Sequence, residues 1–167
     1  MPKIVNTEGN VSFELNLINN DFLNIDKSRS DLENRIPFEL NLCVEKDVFS
    51  CFSEGGATFN VFELKDAIVK FREIINKKLT NHVSFNEKAF SCLEYCFNYF
   101  TFIVYDSMEE NLLSIDLWIN TEKLTNGRAI GYKRGYQFDV YLSEFRAFIG
   151  LIESQLVQLL NENSYLI

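Results

Sequence analysis

The sequence predicts a single α+β domain over residues 1–167, in which a curved antiparallel sheet is packed by two amphipathic helices in two layers. One observation is that apolar and polar residues alternate in several short segments, with the period of a β-strand. Another is that apolar residues recur at helical spacing in two longer segments, 62–79 and 144–161. In addition, short connections join many of the alternating segments, which favours antiparallel neighbours.

The first half of the chain contains two alternating segments with the same five residues, Phe-Glu-Leu-Asn-Leu, at 13–17 and 38–42. A single match does not establish a repeat architecture, so we interpret them as two strands with similar burial. Residues 18–35 between them are rich in Asn, Asp and Ser and predict a long connection, with a short strand at 22–25.

The cysteines can be placed on these predicted elements. A hairpin turning at 46–48 would put Cys43 opposite Cys51, but a disulfide there needs favourable geometry, and buried thiols are favoured in a cytosolic protein. Cys92 and Cys96 have a spacing that could suggest a metal. In a strand these two residues lie about 13 Å apart, too far to share one zinc ion, so no metal site is predicted.

The first helix is predicted from its start signal and its apolar stripe. Asn60 precedes Glu63 by three residues, the spacing of an N-cap residue and its reciprocal partner. Lys77 and Lys78 suit the negative end of the helix dipole. The stripe consists of Leu64, Ala67, Ile68, Phe71, Ile74, Ile75 and Leu79.

The second half predicts a run of strands that ends in the second helix. Segments 90–97 and 99–106 predict a hairpin turning at Asn98, and the next turn is predicted over 106–111. The closing strand places Tyr136, Phe138, Val140 and Leu142 on one face. The helical stripe that follows consists of Phe145, Phe148, Ile149, Ile152, Leu156 and Leu159.

Trp118 has two interpretations. Leu113, Ile115, Leu117 and Ile119 alternate along the third predicted strand of this run, so Trp118 shares the opposite face with Ser114 and Asp116. If that face is solvated, an exposed tryptophan beside acids is suited to anchor a protein partner. If a second layer covers it, Trp118 belongs to the core.

Composition and charge restrict the classes of function. No signal-like segment and no apolar run of 18 residues is present, which predicts a cytoplasmic protein without a membrane partner. The net charge of −8 argues against nucleic acid as a direct partner. The acidic residues are concentrated in 1–60 and 81–120. They either keep the protein soluble or attract a basic partner.

Residue patterns typical of catalysis are missing from the sequence. His82 is the single histidine, and a lone histidine after a helix is most often a surface or capping residue. Gly127, Gly131 and Gly135 have a regular spacing that matches neither a dinucleotide loop nor a P-loop, so strand ends and turns explain them better. The sequence therefore predicts no enzyme, no cofactor and no catalytic residue.

The order of these motifs resembles a known family. The segment Glu63-Leu64-x3-Ile68-x2-Phe71 is followed by an aromatic meander ending in Leu117-x-Ile119, and then by Gly127-x2-Ile130-Gly131. The chain closes with Tyr136-x-Phe138-x-Val140-x-Leu142-x2-Phe145. This layout, over most of residues 10–160, resembles the WapI-type immunity proteins, small bacterial cytosolic proteins encoded beside polymorphic toxins.

The resemblance implies a protein that binds a cognate toxin domain and blocks it without turnover. A basic toxin surface would meet surface acids, and charge and alternation select Asp106, Glu109, Glu110 and Asp116, with Trp118 as the anchor. The function expected is thus a non-enzymatic protein-binding domain of the immunity kind. The alternative is a structural or accessory interaction module that forms homo-oligomers.

Overall fold

The computed structural model describes residues 1–51, 58–80, 88–94, 97–120 and 133–162. Its first sheet and helix comprise β1 (Lys3–Val5), β2 (Val11–Leu17), β3 (Arg35–Val44), β4 (Asp47–Cys51), β5 (Thr58–Asn60) and α1 (Val61–Leu79). Its second sheet and helix comprise β6 (Lys88–Glu94), β7 (Phe97–Asp106), β8 (Leu112–Asn120), β9 (Lys133–Tyr141) and α2 (Leu142–Glu162). The predicted α+β fold with antiparallel strands and two helices is confirmed.

The strands divide between two antiparallel sheets. The first sheet has the order β1-β2-β3-β4, and β5 pairs with the start of β3. The second sheet is a meander in the order β6-β7-β8-β9. Periodicity shows that a segment is a strand but not which strands it pairs with, so the division into two sheets is not visible in the sequence.

The two Phe-Glu-Leu-Asn-Leu segments pair directly with each other. The register is antiparallel and centred on Leu15 opposite Leu40. The flanking pairs are Phe13 with Leu42 and Leu17 with Phe38. All six apolar side chains of the two segments are buried. The similarity in burial that the sequence predicts is therefore confirmed, and it reflects one shared ladder.

The β3–β4 hairpin turns one residue earlier than predicted. The turn consists of Glu45 and Lys46, and Glu45 adopts a left-handed φ of 53°. Cys43 lies opposite Val48, three positions along the ladder from Cys51, so the prediction that the two cysteines face each other is wrong. Cys43 is a free thiol. Glutamate is not a residue that marks left-handed turn positions, so the sequence contains no signal for this turn.

The β6–β7 hairpin also turns earlier than predicted. Glu94 pairs with Phe97, so Asn98 lies within β7 and the prediction of a turn at Asn98 is wrong. The register is fixed instead by the apolar residues of β7 that face the core. Cys92 lies in β6, as the strand interpretation requires. The other predicted positions of interest, His82, Cys96, Gly127 and Gly131, lie outside the described residues.

Two strands of three residues each, β1 and β5, are too short to produce a periodic signal in the sequence. The strand predicted at 22–25 is reduced to one isolated bridge between Asn24 and Arg35. Apart from this bridge, the segment 22–25 is part of the long irregular connection between β2 and β3.

The predicted N-cap of α1 is confirmed. The Glu63 N–H donates to the Asn60 side-chain oxygen at 2.7 Å, and the Asn60 N–H donates to the Glu63 carboxylate at 3.1 Å. This reciprocal pair satisfies two N–H groups at the start of the helix. The helix ends at Leu79, as predicted. Leu79 itself is 55% exposed, so its assignment to the apolar stripe is wrong, and Lys78 is the buried residue of this last turn.

The two helices begin in the same way. α1 follows β5 directly, and α2 follows β9 directly, two residues before the predicted start at 144. The Val61 N–H donates to the Asn34 carbonyl at 3.1 Å, and the Leu142 N–H donates to the Asn111 carbonyl at 2.8 Å. Each helix is therefore held by a residue that immediately precedes a strand of its own sheet.

The core lies between the two sheets and the two helices. Phe13 of the first sheet contacts Phe100 and Phe102 of the second, with ring centroids 5.8 and 5.6 Å apart. Phe71 of α1 and Phe145 of α2 meet edge to face at 5.4 Å. Aromatic contacts of this kind add to the free energy of burial, so many of the sixteen phenylalanines serve packing.

Within the described part of the chain, neither helix is both long enough and apolar enough to cross a membrane.

Candidate functional site

The second sheet has one face against the core and one face directed away from it. Along β8 the residues from Leu113 to Ile119 are alternately buried and more exposed, so the even-numbered side chains point outward. We call the outward side the outer face. On β7, β8 and β9 its residues are Thr101, Ile103, Tyr105, Leu112, Ser114, Asp116, Trp118, Asn120, Lys133, Gly135, Gln137, Asp139 and Tyr141.

The strand register arranges this outer face in rows across the sheet. The three central rows are Thr101–Trp118–Gly135, Ile103–Asp116–Gln137 and Tyr105–Ser114–Asp139. Directly opposite side chains in such rows have Cβ atoms about 5 Å apart. The surface is thus a mixture of aromatic, amide, hydroxyl and carboxylate groups, a composition suited to binding another protein.

Trp118 lies flat on the backbone of its cross-strand partner. A Cβ atom added at Gly135 would come within 2.7, 2.8 and 2.9 Å of three atoms of the six-membered indole ring. Such distances to three neighbouring ring atoms mean that one face of the indole covers the glycine. The side of the ring away from the sheet is open, and the residue is 43% exposed. Trp118 therefore has a fixed position and an accessible surface.

Asp116 stands two residues before Trp118 on the same face, about 7 Å away along the strand. Its side chain is half-buried, and its Oδ1 atom is shielded from solvent with no hydrogen-bond partner among the described residues. A shielded carboxylate oxygen without a donor is unfavourable. The structure therefore brings an unsatisfied acceptor next to the exposed tryptophan.

Asp139, in contrast, is well satisfied. Its carboxylate accepts a hydrogen bond from the Ser114 hydroxyl at 2.6 Å. Its carbonyl accepts one from the Thr7 N–H at 2.9 Å, which links the β1–β2 turn to the edge strand of the second sheet. This acid is held in place by the fold.

Asp106 is on the opposite side of the sheet from Asp116. It accepts a hydrogen bond from the Lys78 ammonium group at 2.7 Å, and Lys78 also donates to the Ser107 carbonyl at 2.6 Å. The Lys78 side chain is buried, so this ion pair fixes the end of β7 against α1. Asp106 is therefore engaged within the fold.

Glu109 and Glu110 lie in the exposed turn between β7 and β8. The turn is about 20 Å from Trp118 along β8, because six residues separate Leu112 from Trp118. Met108 is fully exposed at its tip. Of the five residues selected from the sequence, the structure brings together only Asp116 and Trp118.

Sequence reasoning missed the partners of these two residues on β9. Gly135 belongs to the regular glycine spacing, and a glycine inside a strand is itself a signal that another group approaches the backbone closely. Gln137 lies opposite Asp116, but this pairing depends on the register of β8 and β9. The connection between these strands is too long for a turn type to define that register.

A separate aromatic cluster joins the edges of the two sheets. Phe49 of β4 and Tyr136 of β9 have ring centroids 6.0 Å apart, and the Arg134 guanidinium lies within 5.5 Å of both centroids. Burial raises the pKa of Tyr136, although the nearby Arg134 partly opposes the shift. The Tyr136 hydroxyl is shielded without a hydrogen-bond partner among the described residues. The cluster thus links β4 of the first sheet to β9 of the second.

The interior contains an apolar cavity of about 20 Å³ between the sheets and the helices. Its lining includes Phe13, Leu64, Phe102 and Ile149 and presents no polar surface. A space of this size holds about one water molecule at most, and an apolar one stays empty. Among the described residues, no three His, Cys, Asp or Glu side chains are grouped as metal ligands.

In fold, the chain is similar to the plant transcriptional regulator PBF-2. The TM-score is 0.50 at 11% sequence identity, and the alignment covers 97% of this chain and 82% of that chain. At this identity the similarity concerns the fold alone. No protein-family model matches the sequence, and no curated protein matches it.

Proposed function

We propose that this protein is a non-enzymatic, cytoplasmic protein-binding domain of the immunity kind. In this proposal it neutralises a cognate bacterial toxin by direct binding and acts at a ratio of one to one. The outer face of the second sheet is the contact surface, with Trp118 as its anchor.

The proposal depends mainly on one observation: Trp118 is held in a fixed position and still has an exposed surface. A large aromatic side chain that is fixed against Gly135 loses little conformational freedom when a partner covers it. Tryptophan is also the residue most enriched among those that dominate interface energies. Because 43% of its surface is exposed, a partner can still bury a large apolar area there.

Charge supports a basic partner. On β7, β8 and β9, the described side chains of the outer face include Asp116 and Asp139 against one base, Lys133, and the whole chain has a net charge of −8. Complementary charge accelerates encounter with a basic protein. The same charge opposes binding to nucleic acid phosphates. The similarity to PBF-2, a transcriptional regulator, therefore does not lead us to propose a nucleic acid partner.

The test is capture of a partner by the tagged full-length chain from its native cells, followed by an activity assay of the captured protein. We expect one stoichiometric partner with a basic domain whose toxic activity disappears at equimolar protein. Trp118→Ala should weaken that binding by at least about tenfold. Phe62→Ala is the matched control, since Phe62 is a 52% exposed aromatic residue on α1.

Two outcomes contradict the proposal. One is full neutralisation by a correctly folded Trp118→Ala protein, which would remove the outer face as the contact surface. The other is capture of no protein other than further copies of this chain.

A second candidate function is a homo-oligomeric interaction module, which the exposed side of α2 favours. Ala147, Gly150, Leu151, Ser154 and Val157 form an uncharged stripe there, and Leu151 and Val157 are 44% and 50% exposed. Two copies that each carry −8 repel least at an uncharged surface. Light scattering on a sizing column tests this candidate: a dimer that Leu151→Glu dissociates supports it, and a monomer at high concentration excludes it.

A further inference from the structure

We infer that Trp118 and Asp116 form a binding site for an arginine side chain presented by the protein partner. This inference rests on the proposed function, because it names the chemical group that the outer face recognises.

The indole ring provides the platform. One of its faces covers Gly135, so the opposite face is the accessible one. The electron-rich face of tryptophan attracts cations more strongly than that of tyrosine or phenylalanine. Guanidinium is flat and weakly hydrated, so it can lie parallel to the ring. Among the described residues, the ring has no cation of its own, since Arg134 stacks on Phe49 and Tyr136 instead.

The acceptors lie beside this platform. Asp116 is about 7 Å from Trp118 along β8, a spacing that one guanidinium group can bridge while it stacks. The shielded Oδ1 of Asp116 has no donor among the described residues. The other carboxylate oxygen, Oδ2, is not among the shielded unpaired atoms, so it is the oxygen that the N–H groups of a ligand can reach. The Gln137 amide, directly across the sheet from Asp116, offers one more acceptor.

Arginine fits this set better than lysine does. Its planar group carries five N–H donors in a fixed fork, which can contact a carboxylate and an amide oxygen together while it stacks. A lysine ammonium is compact and strongly hydrated, and it would satisfy either the ring or the carboxylate.

The protein also has a positive charge of its own near the site. Lys133 lies on the same face two residues from Gly135 and opposes any cation bound at Trp118.

The probe is N-acetyl-L-arginine amide, with the neutral citrulline derivative and the lysine derivative as comparisons. The protein contains one tryptophan, so its single indole N–H resonance reports directly on Trp118. We expect saturable shifts of this resonance with the arginine derivative, at a concentration about tenfold lower than for citrulline. The lysine derivative should bind with an affinity between those of the arginine and citrulline derivatives.

Matched variants separate the contacts. Asp116→Asn should weaken arginine binding about tenfold. Asp139→Asn is the control, because it removes the same charge from the same face at a carboxylate already bonded to Ser114, and it should change binding less than about twofold. Lys133→Gln should tighten binding about two- to threefold by removing the opposing charge. Trp118→Phe, followed through the Gly135 amide, should weaken it.

Equal binding of the arginine and citrulline derivatives would overturn the inference, as would unchanged binding in Asp116→Asn. This test needs no partner, so its failure is distinct from failure of the proposed function. If arginine binds but no basic toxin is captured, the proposed function fails and the arginine site stands. If a toxin is neutralised but arginine does not bind, the inference fails and the function stands.

Discussion

Replacing Gly135 with alanine tests the packing on which the outer face depends. The added Cβ would lie 2.7 Å from the nearest indole atom, whereas ordinary contact begins at 3.4 Å. The ring must therefore move away from the sheet by about 0.7 Å, the difference between these two distances. Gly135 does not adopt a left-handed φ, so the backbone itself tolerates alanine.

Two opposing effects on stability follow, and they nearly cancel. A glycine-to-alanine change stabilises by about 0.4–1 kcal/mol through the unfolded chain. A gap of about 0.7 Å forfeits roughly a quarter to a half of each dispersion contact, and about ten contacts at 0.1–0.2 kcal/mol then cost about 0.5 kcal/mol. We therefore expect the free energy of unfolding to change by less than about 0.5 kcal/mol.

The position of the ring, unlike the stability, should change measurably. Because Trp118 is the single tryptophan, its fluorescence reports on this site alone. We expect a longer emission wavelength and faster quenching by acrylamide in Gly135→Ala, since the lifted ring is more exposed to water. Gly150→Ala is the matched control, because nothing lies within 4 Å of its added Cβ. Unchanged emission and quenching in Gly135→Ala would refute the seating of the indole on the glycine.

Four further substitutions have expected effects on stability, each measured by chemical denaturation. Gly150→Ala lies in the middle of α2 with open space around it and should stabilise by about 1 kcal/mol. Asn60→Ala removes the cap of α1 and should cost about 1 kcal/mol. Lys78→Met leaves Asp106 without its ion-pair partner and should cost about 2–3 kcal/mol. Tyr136→Phe removes a shielded hydroxyl without a partner and should be neutral or stabilise by up to about 1 kcal/mol. Burial raises the pKa of Tyr136 above 10.0, so above that pH the tyrosine of the unfolded chain ionises more readily than that of the folded protein. The wild type should therefore lose stability as the pH rises above 10.0, and the Tyr136→Phe variant should lose less stability.

The elements that the sequence predicts well are those with strong local signals. The capping pair of α1 and the stripes of both helices depend on residues within one or two turns. The structure confirms them except at Leu79, which is exposed, whereas its neighbour Lys78 is buried in an ion pair with Asp106. The alternation of β8 is equally local and places Trp118 and Asp116 together on one face, as predicted. These features follow from backbone geometry with periods of 3.6 and 2 residues.

Register, in contrast, depends on turns and on distant segments. The left-handed Glu45 moves the β3–β4 turn by one residue and thereby separates Cys43 from Cys51 along the ladder. The two identical five-residue segments pair with each other, although the long connection between β2 and β3 does not determine their alignment. Burial of both apolar rows in one core selects this register, because a shift of one residue would turn those rows towards solvent.

The candidate site depends on both kinds of information. Local alternation places Trp118 on the outward side of β8, but only the pairing of β8 with β9 places a glycine beneath the ring. With any other residue at Gly135, the indole would have to stand away from the sheet and would be held less firmly. Trp118 is thus suited to act as an anchor because of Gly135, which is 17 positions away in sequence. A rigid aromatic surface beside an unsatisfied carboxylate is a property of the paired strands, and this pair is where we expect a partner's arginine to bind.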